Sequence, residues 1–113
     1  MRLLVCGGRD FSDWRLLQRV LEDFHAKQPI TLLIAGGATG ADDLAVRWAH
    51  YRKLPACVFP ANWKHLGKAA GPTRNKWMLD FGKPDVVIAF PGGRGTDVMV
   101  QLAQEAGVKV LSV

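Results

Sequence analysis

The chain has 113 residues, of which 49% are hydrophobic and 22% charged, a balance that indicates one globular domain over residues 1–113 and excludes a disordered or fibrous protein. No apolar run reaches the roughly 18 residues of a membrane-spanning helix, and no signal-type segment follows Met1, so we expect a soluble, cytoplasmic protein. Fifteen lysines and arginines against ten aspartates and glutamates give a net charge of +5, which favours an anionic partner: a nucleotide, a nucleic acid or an acidic metabolite.

Five short runs of mainly apolar residues, each bounded by glycine or proline, predict β-strands along the chain. They cover residues 3–6, 31–35, 56–59, 86–90 and 108–113. Runs that are apolar on both faces are typical of parallel strands covered by helices on each side, whereas half-exposed antiparallel strands would alternate. The sheet is therefore predicted to be mostly parallel.

Helical patterns lie between the strands, over about residues 13–27, 41–49, 73–81 and 96–106. Ser12 is the predicted N-cap of the first helix, and Gly107 ends the fourth. The residues predicted to face the core are, helix by helix, Trp14, Leu17, Leu21 and Phe24; Ala41, Leu44, Ala45, Trp48 and Ala49; Trp77, Met78 and Phe81; and Val98, Leu102 and Ala106.

This alternation of strands and helices predicts an α/β fold, a Rossmann-like three-layer sandwich with right-handed crossovers. The strand order that we expect for the five-stranded sheet is 3-2-1-4-5. Cys6 and Cys57 would then lie on strands separated by a third, about 9–10 Å apart and too far for a disulfide.

Cysteines and histidines form no recognisable metal or redox motif. The spacing of Cys6 and Cys57 matches no zinc or redox pattern, and two cysteines fit buried strand positions in a reducing compartment. His25 and His50 fall in helices without partner ligands, and His65 stands alone. We expect neither a metal nor a cofactor.

Three glycine-rich loops follow the first, second and fourth strands. In an open α/β sheet, ligands bind at the carboxyl ends of the strands where the strand order reverses, here between strands one and four. Glycine lets backbone N–H groups approach a phosphate, and a following helix adds its free donors and its dipole. Each loop alone could be only a tight turn. The ligand-binding residues predicted at this edge are Gly7, Gly8, Arg9, Gly36, Gly37, Thr39, Asn75, Gly92, Gly93, Arg94, Gly95 and Thr96.

Two common nucleotide fingerprints do not fit these loops. A Walker A loop needs a lysine after its last glycine, but Gly40 is followed by Ala41 and Asp42. A dinucleotide GxGxxG motif is missing after strand one, and strand two ends in glycine where a ribose-binding acid would stand. A P-loop NTPase and an ordinary NAD-dependent dehydrogenase are thereby disfavoured.

Four segments together resemble the SLOG superfamily, in particular its YspA-type, circularly permuted YpsA-related branch. They are Gly7-Gly8-Arg9-Asp10-Phe11, Gly36-Gly37-Ala38-Thr39-Gly40-Ala41-Asp42, Ala70-Gly71-Pro72 with Arg74-Asn75 and Met78, and Phe90-Pro91-Gly92-Gly93-Arg94-Gly95-Thr96. The resemblance covers essentially the whole chain. It implies a Rossmann-like domain that binds or processes a nucleotide or a nucleotide-derived ligand.

The LOG phosphoribohydrolases of the same superfamily suggest a second interpretation, hydrolysis of an N-glycosidic or phosphoribosyl bond. Arg74 with Met78, and the loop from Pro91 to Thr96, match their pattern, but Met99 stands where these enzymes have a glutamate. A carboxylate stabilises the oxocarbenium-like transition state or activates water, and methionine does neither. The candidate catalytic residues are therefore Arg74 together with Asp42 or Asp10, with Asp43 as a further source of the carboxylate.

Several alternatives stay open at this stage. Asp42 and Asp43 also suit the first turn of a helix for purely structural reasons. Trp63, in the irregular stretch from residue 62 to 72, could stack on a base or pack the loop onto the core. Single-stranded nucleic-acid binding, as in the DNA-processing A proteins that resemble this superfamily, is a third interpretation, although the basic residues are scattered. LOG enzymes form dimers, which leaves a homo-oligomer open here.

Overall fold

A computed structural model of the protein describes residues 1–61 and 66–113, and of Lys68 the backbone alone. Five parallel strands form one sheet in the order β3-β2-β1-β4-β5. The strands are β1 Arg2–Cys6, β2 Leu32–Ala35, β3 Ala56–Val58, β4 Val86–Ala89 and β5 Lys109–Ser112. The helices are α1 Trp14–Lys27, α2 Ala41–Tyr51, α3 Ala70–Asp80 and α4 Arg94–Glu105, with a short 3-10 turn Gly67–Ala69 before α3. This confirms the predicted fold class and strand order.

The central strand β1 lies between β2 and β4, with Leu4 opposite Ile34 on one side and Val87 on the other. Both faces of these strands are buried, as their unbroken apolar runs require. Strand order reverses between β1 and β4, so the helices that follow these two strands leave the sheet in different directions. A crevice at the carboxyl edge of the sheet results.

Two apolar clusters fill the spaces on either side of the sheet. Under α1 and α2, Leu17, Leu21 and Trp48 pack against alternate residues of β1 and β4. On the opposite face, Met78 of α3 and Met99 of α4 pack against the other residues of the same strands. Each helix packs one apolar stripe against one face of the sheet, and this packing produces the three-layer sandwich.

Some predicted details of the helices are wrong. Asp13, not Ser12, caps α1, because its side chain accepts a hydrogen bond from the Leu16 amide at 3.1 Å. In α3, Met78 is buried as predicted, but Trp77 is 43% exposed and Phe81 68% exposed. Neighbouring residues of a helix are about 100° apart, so Trp77 cannot share the face of Met78, and Phe81 lies past the last turn.

The core stripe of α4 also differs from the prediction by one position. Its buried residues are Met99 and Ala103, whereas Val98 and Leu102 are only partly buried and Ala106 is exposed. The helix starts at Arg94, two residues earlier than predicted, because the glycine loop leads directly into its first turn. Its end is as predicted, with Gly107 in the left-handed conformation at φ +77°.

Both cysteines are free thiols, as expected from the strand order. Cys6 is buried on β1, while Cys57 on the edge strand β3 is only partly buried. Within residues 1–61 and 66–113, no helix combines the length and the apolar character that crossing a membrane requires.

Candidate functional site

A groove of about 1040 Å³ opens at the carboxyl edge of the sheet, where strand order reverses. The loop after β1, the start of α3 and the loop leading into α4 form its walls. Cys6, Met78 and Met99, all buried, form an apolar floor. The groove therefore offers polar backbone at its rim and apolar surface beneath it.

The first turn of α4 forms one end of the groove. Its N-cap is Gly93, and within residues 1–61 and 66–113 no side-chain hydrogen bond caps this helix. A Cβ atom at Gly93 or Gly95 would have no neighbour within 4 Å, which shows that both residues face open space. Arg94 and Thr96 line the same end. Amide donors, a helix dipole and an arginine here suit a negatively charged group.

Close packing requires glycine at other positions of these loops. The Gly8 amide donates a hydrogen bond to the Pro91 carbonyl oxygen at 2.9 Å and so ties the β1 loop to the β4 loop. A Cβ atom at Gly92 would overlap the Thr96 hydroxyl oxygen and lie 2.6 Å from the Gly8 nitrogen. A Cβ atom at Gly7 would lie 2.6 Å from that of Ala41. These glycines bring the loops together, whereas Gly93 and Gly95 leave space.

The start of α2 also has a glycine N-cap, but unlike the start of α4 it packs against the β1 loop. The Gly8 carbonyl oxygen accepts a hydrogen bond from the Ala41 amide at 3.2 Å, and the Thr39 hydroxyl donates to the Arg9 carbonyl oxygen at 3.3 Å. Gly40 reaches this contact at φ +77°, with its α-carbon against the backbone of Gly8 and Arg9. The β2 loop thus supports the β1 loop.

Consequently, the β2 loop contributes less to the groove than the sequence predicts. Ala38 and Asp42 line it, but among the described residues Gly36, Gly37 and Thr39 do not. Gly37, at φ +74°, is oriented towards Val58 and Pro60 instead. The structure places the other predicted ligand-binding residues along the groove: Gly7, Gly8, Arg9, Asn75, Gly92, Gly93, Arg94, Gly95 and Thr96.

A polar cluster of Asp42, Arg74 and Asn75 forms the other end of the groove. Arg74 donates from Nη1 to the Gly36 carbonyl oxygen and from Nε to Oδ1 of Asn75, the latter at 2.9 Å. Asp42 accepts from the Ala38 amide through Oδ2 at 3.3 Å. Asp42 and Asn75 are each only 6% exposed.

Gly36 is the point where this cluster meets the sheet. A Cβ atom there would lie 2.5 Å from Nη1 of Arg74 and 2.9 Å from Oδ2 of Asp42. Only a residue without a side chain leaves room for both groups at the end of β2. Glycine is thus needed at Gly36 for side-chain packing, although the sequence suggested a direct ligand contact.

Burial and charge act in opposite directions on the groups of the cluster. Burial raises the pKa of Asp42, while its bond from Ala38 and the charges of Arg74 and Arg9 lower it, with burial dominant. Burial likewise lowers the pKa of Arg74, and the nearby Asp42 carboxylate opposes that shift. Burial, helped by the charge of Asp42, raises the pKa of the Cys6 thiol to about 12. Cys6 is therefore a neutral thiol at physiological pH.

The carboxylates proposed as catalytic candidates have different surroundings. Asp42 is buried in the groove, and Asp10 is exposed at its lip. Asp43 points elsewhere and pairs with Arg47 at 3.0 Å on the surface of α2. Met99 lies in the floor. Trp63 lies outside the described residues.

The apolar part of the groove was not predicted from the sequence. Phe11 and Val98 complete the surface begun by the buried sulfur-containing residues, and the Phe11 ring lies 5.2 Å from that of Phe90. Phe11 directly follows the glycine loop after β1, and this position in the sequence could have indicated that its ring lies in the groove. In the part of the chain that the structure describes, no cluster of three or more His, Cys, Asp or Glu side chains could hold a metal ion.

The open parallel sheet and the groove at its reversal point define a Rossmann-like α/β domain. A family model described as the YspA, cpYpsA-related SLOG family matches residues 1–65, from β1 to beyond β3. The chain is also similar to the Gene 61 protein of Mycobacterium phage D29, with 40% identity over 119 aligned residues that cover 98% of this chain and 94% of the phage protein. The chain belongs to the YspA, cpYpsA-related SLOG family.

Proposed function

We propose that the protein binds a nucleotide or a nucleotide-derived ligand, whose phosphate rests on the first turn of α4. The observation that carries this proposal is the uncapped helix start at Gly93, which faces the groove at the reversal point of the sheet. Membership of the SLOG family supports a nucleotide-related ligand. The protein would act by sensing, sequestering or processing that ligand.

The volume and the charged residues of the groove favour binding of a compact anionic ligand. Its volume suits a ligand of nucleotide size, since binding pockets for small molecules typically measure about 300–1,000 Å³. Among the described side chains, the charged residues that line it are Arg9, Arg74 and Arg94 together with Asp10 and Asp42. A mixed set favours one anionic group at a fixed place over a polyanionic strand, which would require a continuous basic surface.

Exchanging Gly93 tests the phosphate position without disturbing the helix. Gly93 has φ −100°, which any residue adopts, and a new side chain there meets open space. Aspartate and asparagine are both good N-caps. Both new side chains compete with the phosphate for the first-turn amides, but only aspartate adds a negative charge, so we expect Gly93→Asp to weaken nucleoside monophosphate binding at least about tenfold and Gly93→Asn to weaken it less.

Calorimetric titration of both variants against the four nucleoside monophosphates measures this difference. Gln104→Asp, at an exposed position on the same helix and outside the groove lining, is the control for added charge. Equal affinities of the Gly93→Asp and Gly93→Asn variants would contradict the proposed phosphate position.

Hydrolysis of an N-glycosidic bond is a second candidate, and Asp42 is the observation that favours it. Its buried carboxyl lines the same groove as Arg74, and so offers a carboxylate despite Met99. Release of free base and sugar phosphate from a nucleoside monophosphate, lost in Arg74→Ala, would establish this activity. A bound ligand that stays intact over prolonged incubation with equimolar protein would count against it.

A further inference from the structure

The hydrogen bonds of Arg74 fix the orientation of the Asn75 amide. A guanidinium group only donates, so the atom of Asn75 that faces Nε of Arg74 must be the amide oxygen. The NH₂ group of Asn75 consequently points away from Arg74 Nε. Asn75 is 94% buried and lines the groove, and no hydrogen bond within residues 1–61 and 66–113 uses its NH₂ group. Two oriented donors are therefore available at the groove wall.

Asp42 provides the complementary acceptor. A carboxylate accepts up to about four hydrogen bonds. The Ala38 amide uses Oδ2, and the Gly36 amide is a second backbone partner. Asp42 is nearly as buried as Asn75 and lines the same groove, so its remaining acceptor capacity is directed to a ligand rather than to bulk water.

The negative charge of Asp42 determines which part of a ligand can occupy this end. The Asp42 carboxylate disfavours a phosphate beside it, and Arg74 already donates to the Gly36 carbonyl oxygen and to Asn75, so the phosphate is better placed at the first turn of α4. The carboxyl ends of β2 and β4 are two strand spacings apart, about 10 Å, because β1 lies between them. A neutral group with several hydroxyls, joined to the phosphate through a short link, fits this end. The apolar floor of the groove and the Phe11 ring are then available to contact the base.

We propose that Asp42 and Asn75 recognise the vicinal hydroxyls of a ribose, so that the protein selects ribonucleotides over 2′-deoxyribonucleotides. One hydroxyl donates to the Asp42 carboxylate, and its neighbour accepts from the Asn75 NH₂ group. The inference rests on the proposed function, because it assumes that the phosphate of the same ligand occupies the α4 end. Arg74 acts as a positioning residue that holds the amide in the required orientation.

The experiment compares each nucleoside 5′-monophosphate with its 2′-deoxy and 3′-deoxy forms by calorimetric titration. A hydrogen bond to a charged group changes affinity by about 10- to 100-fold. We expect the ribonucleotide to bind at least about tenfold more tightly than either deoxy form. Because Asp42 and Asn75 each bind one of the two hydroxyls, the preference over one deoxy form should fall towards one in Asp42→Asn, while the preference over the other deoxy form persists.

Matched variants separate recognition from folding. Asp43→Asn removes a neighbouring carboxylate that pairs with Arg47 outside the groove, and it should leave both preferences unchanged. Asn75→Leu should lower the preference over the other deoxy form, the one that persists in Asp42→Asn. Arg74→Met, which frees the amide to rotate, should lower the same preference, and Arg74→Lys should restore part of it. A role of Arg74 in folding alone would change stability without changing this preference.

Three results would overturn the inference in distinguishable ways. Equal binding of ribose and deoxyribose forms, still weakened by Gly93→Asp, would reject the ribose subsite and keep the proposed function. A preference among bases that Asp42→Asn removes, without a ribose preference, would assign the cluster to the base edge and reject the inference too. If none of the twelve compounds binds, the proposed function fails and the inference with it.

Discussion

Asp42 is a buried carboxyl whose surroundings in the folded protein oppose its charge. Its carboxyl is 6% exposed at the start of α2, where the helix dipole and Arg74 favour its charge, but burial outweighs both and raises its pKa. A residue that served stability alone would be better as a neutral side chain. The cost of the buried charge is consistent with a functional role in the groove.

The raised pKa has a consequence for stability that can be measured. The folded protein holds the Asp42 proton to higher pH than the unfolded chain does, so this group lowers stability as the pH rises from below the unfolded pKa through the folded one. Asp42→Asn removes the charge and keeps an acceptor for the Ala38 amide. We expect the variant to be at least as stable as the wild-type protein near pH 7.

Urea unfolding of both proteins across the acidic to neutral range tests this expectation. The difference in unfolding free energy between Asp42→Asn and the wild-type protein should grow in favour of the variant as the pH rises. Asp43→Asn, at the exposed neighbouring position, is the control for the loss of a carboxylate from the same helix turn. A variant that loses stability relative to the wild-type protein as the pH rises would show that Arg74 and Arg9 outweigh burial.

The two cysteines should differ in reactivity. The nucleophile is the thiolate, and burial raises the pKa of the Cys6 thiol to about 12, so this thiol stays neutral and shielded. Cys57 lies partly exposed on an edge strand. We expect iodoacetamide at pH 8 to label Cys57 well before Cys6 in the folded protein, as measured by peptide mass spectrometry. Equal labelling rates would indicate that the groove floor opens readily.

At the scale of elements, α2 and α4 each begin after a glycine N-cap, but the two glycines have different structural roles. The amide at the start of α2 bonds to Gly8, which locks the β1 and β2 loops together. Among the described residues neither helix start has a side-chain cap, but the start of α4 faces the groove. Glycine therefore allows close packing of the loops at the start of α2 and leaves open space at the start of α4.

Alanine substitutions distinguish these two tasks. Gly40→Ala places a Cβ atom on the backbone of Gly8 and Arg9 at positive φ, so we expect a loss of about 2–3 kcal/mol in unfolding free energy. Gly95→Ala lies in open space in the first turn of α4, and its stability should be unchanged or raised by up to about 1 kcal/mol. Thermal unfolding measures both, and similar losses in the two variants would contradict the distinction.

The elements also show where sequence patterns are sufficient. The strands were predictable because residues such as Leu3, Leu4 and Val5 are apolar on both faces, which only a covered parallel sheet accommodates. The faces of α3 and α4 were not, because several apolar residues lie next to one another and periodicity alone cannot choose among them. Packing against the sheet selects Met78 over Trp77, and Met99 over Val98.

On the scale of the whole molecule, the strand order explains why the groove could be located from the sequence. The 3-2-1-4-5 order puts the loops after β1 and β4 on either side of the reversal point, where glycines then mark the site. The cluster at the other end was predictable only in part. Asp42, Arg74 and Asn75 were candidates separately, but their meeting at Gly36 depends on how α3 packs over β2, which no local pattern encodes.

The most direct test of the central claim is equilibrium dialysis of the wild-type protein, at a concentration comparable to the ligand, against a panel of nucleoside monophosphates and nucleotide derivatives. Mass spectrometry would identify the species retained and the species released. We expect at least one nucleotide to be retained by the wild-type protein and by Gly93→Asn, and to be lost from Gly93→Asp. A panel that passes through the wild-type protein unretained and unchanged would contradict the account.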